Sequence, residues 1–114
     1  MPWPKPSVEK TMLLEHALKS KGERRVLFGA PTWFVGGNMF AGVFGDDIFI
    51  RLTPADQTEV KKLGAKLFDP LKRGVMKNYL LLPYDILYDD KLLEQWLKKS
   101  YALVTSLPVK AEKK

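Results

Sequence analysis

Cysteine is absent from this 114-residue chain, and histidine occurs once, as His16. The first absence removes disulfides and thiolate metal ligands, the usual staples of small secreted domains, so a reducing interior suits the chain. The second leaves any histidine triad or histidine metal cage without partners, and a helix-surface histidine is the simpler reading. No apolar run approaches the ~20 residues that span a bilayer. The opening MPWPKPS carries no apolar stretch of the signal-peptide kind, so a cytoplasmic location without membrane association is expected. The glycines form neither GxGxxG before a helix nor GxxxxGK followed by Ser or Thr, so neither a nucleotide cofactor nor any other is expected.

What is present reads as one globular domain over residues 1–114, because hydrophobic residues at 46% are enough for one core and halves of this length would each be too small. Pro2, Pro4 and Pro6 make residues 1–6 an extended leader that cannot start a helix. Ser7 is a fitting N-cap for a helix to about Lys19, with Val8, Met12, Leu14, Ala17 and Leu18 as its apolar side and Gly22 as a stop. From Arg25 the texture changes to short β-type runs, RVLF, TWFV, NMFAGVF and DIFIRL, punctuated by Gly29-Ala30-Pro31, Gly36-Gly37 and Gly45-Asp46, which predicts an antiparallel meander with tight hairpins. In the last run Ile48, Ile50 and Leu52 fall on one face, expected to meet the core, and Asp47, Phe49 and Arg51 on the other.

Thr53-Pro54 resembles an N-cap followed by a first helical residue, opening a short helix that Gly64 closes. Residues 65–69 and 76–82 read as strands. A final helix is predicted from Asp89 or Asp90 to Leu107, with Leu93, Trp96, Leu97 and Val104 at helical spacing. The expected architecture is α+β, an antiparallel β-sheet of about five strands with helices packed on one face, in the order α-β(3-4)-α-β(2)-α. Helices on one face leave the other needing a cover, so Phe40, Phe44 and Phe49 are candidates for a sheet-face interface with a partner or a second copy of the chain, and a homodimer is expected.

No catalytic or metal-binding set emerges. Gly45-Asp46-Asp47 has the form of a polymerase metal motif but lacks a further carboxylate and the size to hold a template, and Gly-Asp is a common turn pair. Asp85, Asp89 and Asp90 are the densest acidic cluster, and their place before an amphipathic helix explains them as caps that favour its positive end. Lys and Arg outnumber Asp and Glu by 19 to 13, a formal charge of +6. The lysine-rich tail at 109–114 contributes +2 of this through three lysines against Glu112. A second basic concentration comprises Lys61, Lys62, Lys66, Lys72, Arg73 and Lys77. Together with Arg24, Arg25 and Arg51 it defines the candidate partner-binding or nucleic-acid-binding residues, of which Arg24, Arg25, Arg51, Lys72, Arg73 and Lys77 are the core set.

Three blocks carry a family resemblance: Arg25–Gly29 (RVLFG), then Gly37-Asn38-Met39-Phe40-Ala41, then Ile48-Phe49-Ile50-Arg51-Leu52. Phe68, Gly74, Met76-Lys77-Asn78-Tyr79 and Leu82-Pro83 follow in the order of an F…G…M-K-x-Y…P signature, before a helix with Leu93, Trp96 and Leu97. Together they resemble the N-terminal domain of the TfoX/Sxy competence regulators, over nearly the whole chain from the first helix to Pro108. The resemblance implies a bacterial, cytoplasmic α+β domain without enzymatic activity, in a family that promotes competence-gene transcription together with the cyclic-AMP receptor protein. Full-length regulators carry a second domain, so this chain is expected to be a stand-alone N-terminal domain. The expected function is a non-enzymatic regulatory module acting through a protein partner; the alternative is weakly specific nucleic-acid binding by the basic 61–77 segment.

Overall fold

The computed structural model describes residues 5–19, 21–27, 29–68 and 78–108. Helix α1 (Val8–Leu18) starts where Ser7 Oγ accepts the Lys10 amide at 3.1 Å and ends at Lys19, a left-handed residue with φ 51°. Its inward stripe is Lys10, Leu14 and Leu18, flanked by part-buried Leu13 and Ala17. Val8 and Met12, expected on the apolar side, are 74% and 62% exposed. The stripe is rotated because it begins at a lysine, which an apolar count passes over.

The meander follows as β1 (Glu23–Leu27), β2 (Ala30–Val35), β3 (Asn38–Phe44) and β4 (Asp47–Arg51). Gly36 and Gly37 turn β2 into β3 with φ of 56° and 82°, the consecutive positive values that a tight primed turn demands. Ala30 and Pro31, expected in a turn, already belong to β2, where Pro31 faces Val26 on β1.

Thr53 caps α2 (Pro54–Lys62) by accepting the Asp56 amide at 3.2 Å. Two short strands follow, β5 (Lys66–Leu67) and β6 (Tyr79–Leu81). A one-turn helix α3 (Tyr84–Leu87), not anticipated from the sequence, precedes α4 (Asp90–Thr105), whose cap is Asp89 accepting the Lys91 and Leu92 amides at 3.1 Å each. The six strands form one antiparallel sheet in the order β1-β2-β3-β4-β6-β5. The predicted class and one-sided helix packing therefore hold, with one more strand and one more helix than expected. The new feature is β6 wedged between β4 and β5.

On one face Trp33, Ala41, Val43, Ile48, Ile50 and Leu80 pack against Leu14 and Leu18 of α1 and Leu93, Trp96, Leu97 and Val104 of α4. Val60 brings α2 into the same core, and Asp56 of α2 pairs with Lys99 of α4 at 3.8 Å. A bulge interrupts the β2–β3 ladder, since Trp33 pairs with Ala41 but Phe34 with Met39, leaving Phe40 as the extra residue. The buried Ser100 hydroxyl of α4 donates to the Phe40 carbonyl at this bulge, at 2.9 Å. The Phe40 ring meets Tyr101 of α4 edge-on at 5.6 Å.

Helix-free does not mean bare on the opposite face. Phe49 is 0% exposed, with Phe68 stacked on it at 4.5 Å and Tyr79 edge-on at 6.0 Å, and Phe44 meets Phe68 at 5.1 Å. Gly42, directly across from Phe49, leaves the space in which that ring lies; a Cβ there would collide with the ring and press on Thr32. The exposed sheet face expected from Phe40, Phe44 and Phe49 is thus corrected. Phe40 and Phe49 are fully buried, Phe40 against α4 and Phe49 beneath Phe68, and Phe44 is half-buried. With Phe49 covered, a homodimer cannot form through an exposed Phe49 ring.

Candidate functional site: the helix-free face of the sheet

Strand alternation distributes the three expected arginines. Arg24 and Arg25 are consecutive on β1 and therefore point to opposite faces. Arg24 lies on the helix side, where Nη1 donates to Glu15 Oε2 of α1 at 2.6 Å and the guanidinium rests 5.7 Å from the Trp33 ring. Arg25 lies on the helix-free side, pairing with Glu23 at 3.1 Å and sitting 5.0 Å from the Phe34 ring. Arg51 shares that face through its register opposite Tyr79, 5.9 Å from the ring. The expected trio is thus one residue on one face and two on the other. Lys72, Arg73 and Lys77 lie outside the described residues; Lys61, Lys62 and Lys66 are exposed on α2 and β5.

The helix-free face carries a half-buried strip that crosses the sheet. Phe34 faces Met39 across β2 and β3, and the Tyr79 hydroxyl reaches over β4 to donate to the Met39 carbonyl at 2.9 Å. Burial pushes the Tyr79 phenol above its usual range, and the neighbouring Arg51 charge offsets part of that rise. Arg25 closes the strip at its β1 end and Arg51 lies within it beside Tyr79. Arg51 Nε is closed to solvent and, alone among the buried side-chain nitrogens and oxygens of the described residues, has no hydrogen-bond partner. A buried donor without an acceptor costs about 1–3 kcal/mol, so this one has something to gain from a partner.

A second polar cluster was missed by sequence reasoning. Lys10 is only 2% exposed, and its ammonium sits 4.9 Å from the Tyr84 ring and 5.4 Å from that of Tyr88. It pairs with Asp46 Oδ1 at 3.1 Å and Glu9 Oε1 at 3.5 Å. The two tyrosines close the ring of contacts, Tyr84 donating to Asp46 Oδ2 at 3.1 Å and Tyr88 to Glu9 Oε2 at 2.9 Å. Tyr88 first, then Asp46, holds the Lys10 pKa well above the usual lysine range against the opposing effect of burial. Lys10 in turn, with Tyr84, holds the Asp46 carboxyl below its usual range. The cluster binds α1 to the β3–β4 turn and to α3, and it assigns the Gly45-Asp46-Asp47 turn to a structural clamp. Asp47 sits apart from the lysine contact, half-buried, its carboxyl raised by burial and by Asp46. The available signal was Lys10 itself, in the stripe with Leu14 and Leu18.

Open grooves lie elsewhere on the described residues. One of about 210 Å³ between α1 and α4 is lined by His16, Asp90 and Glu94, the last paired with Lys19 at 2.7 Å. Another, of about 480 Å³ beside β5, sets Asp47 and Lys66 among Leu81, Leu82 and Pro83. Among the described residues no group of three or more His, Asp or Glu is placed to hold a metal ion, and no helix is long and apolar enough to cross a membrane.

The fold and these surfaces define a small α+β domain with one helix-covered sheet face and one aromatic face edged by arginine. Within that class the chain belongs to the TfoX N-terminal domain family, whose model matches residues 14–103. Comparison with curated proteins gave no match. The matched span runs from Leu14 in α1 to Leu103 in α4, so it takes in the whole sheet and both faces.

Proposed function

We propose that this chain is a non-enzymatic, competence-related regulatory module of the bacterial cytoplasm that acts by binding a protein partner through the helix-free face. The observation that carries this reading is the strip of half-buried Phe34, Met39 and Tyr79, with Arg25 closing its β1 end and Arg51 within it beside Tyr79. Aromatic residues, methionine and arginine are the side chains enriched in protein interfaces, while charge is sparse at their centres. Family membership supplies the regulatory context.

A deletion strain of the source bacterium, complemented with wild-type protein or with a Phe34→Ser, Met39→Ser double variant, tests it. Competence-gene reporter activity is expected to fall to the deletion level in the variant at equal levels of folded protein. Full activity in that variant would contradict the reading.

Nucleic-acid binding is the second reading, supported by charge distribution. The described residues hold 13 Lys and Arg against 11 Asp and Glu, or +2, so +4 of the total +6 belongs to the remaining residues, which include Lys72, Arg73 and Lys77. Anisotropy of labelled DNA at rising salt separates the two readings, because phosphate contacts weaken steeply with ionic strength and an apolar interface does not.

A further inference from the structure

Arg51 differs from the other arginines of the described residues in the completeness of its surroundings. Arg24 and Arg25 each have a carboxylate within 3.1 Å, at Glu15 and Glu23. Arg51 has Tyr79, through its ring face and a hydrogen bond to its phenol, but no carboxylate, and its solvent-excluded Nε has no acceptor. A ring face is a weak acceptor, whereas the guanidinium fork is matched in shape and charge by a carboxylate. The residue as a whole is half-buried and not sealed in the core, so Arg51 still meets the surface of this face. Along the face lie Met39, Phe34 and Tyr79, with the Arg25–Glu23 ion pair beside Phe34 at the β1 end.

We infer that Arg51 is the anchor for an acidic side chain of the partner protein, with an adjacent apolar residue of that partner lying on the Phe34–Met39–Tyr79 strip. This rests on the face-binding reading above and names the chemistry of its partner. A carboxylate fits better than a nucleic-acid backbone, because repeated phosphates need repeated cations, and Arg51 and Arg25 are the only cations this strip presents among the described residues, Arg25 already being paired with Glu23. Tyr79 positions the anchor, since its hydroxyl is tied to β3 and its ring fixes the guanidinium from one side.

The test uses the full chain labelled with ¹⁵N and two dipeptide probes, N-acetyl-Asp-Phe-amide and its Asn-Phe counterpart, with inorganic phosphate as a third titrant. The Asp probe is expected to shift the Arg51 Nε–Hε resonance and the Tyr79 and Met39 amides in a saturable way. The Asn probe should leave them in place, and the Tyr79 and Met39 shifts should vanish in Arg51→Lys, which keeps the charge but not the fork. The inference is overturned if Arg51 gives no saturable response, if the Asp and Asn probes act alike, if the response survives in Arg51→Lys, or if phosphate gives the larger shift. Should the probes fail while the Phe34→Ser, Met39→Ser variant still loses reporter activity, the carboxylate anchor falls and the binding face stands.

Discussion

Lys10 and Arg51 are both cations drawn out of water, and the fold treats them differently. Lys10 is enclosed by two tyrosine rings and two carboxylates. Each hydroxyl of that cage is engaged in turn, so the shell is complete. Arg51 has one ring and a donor with no acceptor. A buried polar group that is fully satisfied fixes architecture, whereas one that is not marks strain or function. The Lys10 cluster thus ties α1, the β3–β4 turn and α3 into one unit, and Arg51 belongs to the face proposed above to bind a partner.

The largest effect expected on the structure comes from Phe49, which separates the closed part of the helix-free face from its open strip. Phe49→Ala removes a fully buried ring that stacks on Phe68, and chemical denaturation should show a loss of about 3–5 kcal/mol. A loss under about 1 kcal/mol would mean that this end of the face is open after all.

Lys10 comes next. Lys10→Ala deletes a buried aliphatic stem and should cost about 2 kcal/mol from packing alone. Lys10→Met keeps the stem, so the difference between the two variants isolates the charge. The pH dependence has a definite sign. Lys10 is raised from 10.5, so its contribution is whole below about pH 10.5 and fades as pH climbs toward the higher folded value. Asp46 is lowered from 3.8, so its contribution is whole above about pH 4 and fades as pH falls toward the lower folded value. Thermal melts across pH should therefore show wild type losing its advantage over Lys10→Met at both extremes and keeping it between them. A constant offset at every pH would assign the cluster to packing without charge.

How far these two sites could be read in the sequence follows from what each depends on. Glycine pairs and β-type runs gave away the meander, and Ser7, Thr53 and Asp89 gave away three helix starts, because caps and turns are local chemistry. Alternation on β4 correctly put Ile48 and Ile50 toward the helices. It could not say that Phe49, on the other face, would be covered, since the cover comes from Phe68 nineteen residues further on. The same alternation, applied to β1, would have separated Arg24 from Arg25. Wedging β6 between β4 and β5 is a long-range pairing that no local pattern announces, and it is what brings Tyr79 beside Arg51. Lys10 is hidden from a count of apolar positions because a lysine is rarely buried, although it falls in the stripe with Leu14 and Leu18 that points inward.

The contrast between the two cations is tested most directly by Arg51→Ala, measured for melting temperature and for competence-reporter activity at equal protein level, beside Lys10→Ala. The account predicts that Arg51→Ala melts within about 2–4 °C of wild type, the equivalent of about 0.5–1 kcal/mol for a domain of this size, and loses reporter activity. Lys10→Ala is expected to melt lower by more than that margin. An Arg51→Ala protein that melts as low as Lys10→Ala and keeps full reporter activity would contradict it, and would make Arg51 a second structural clamp.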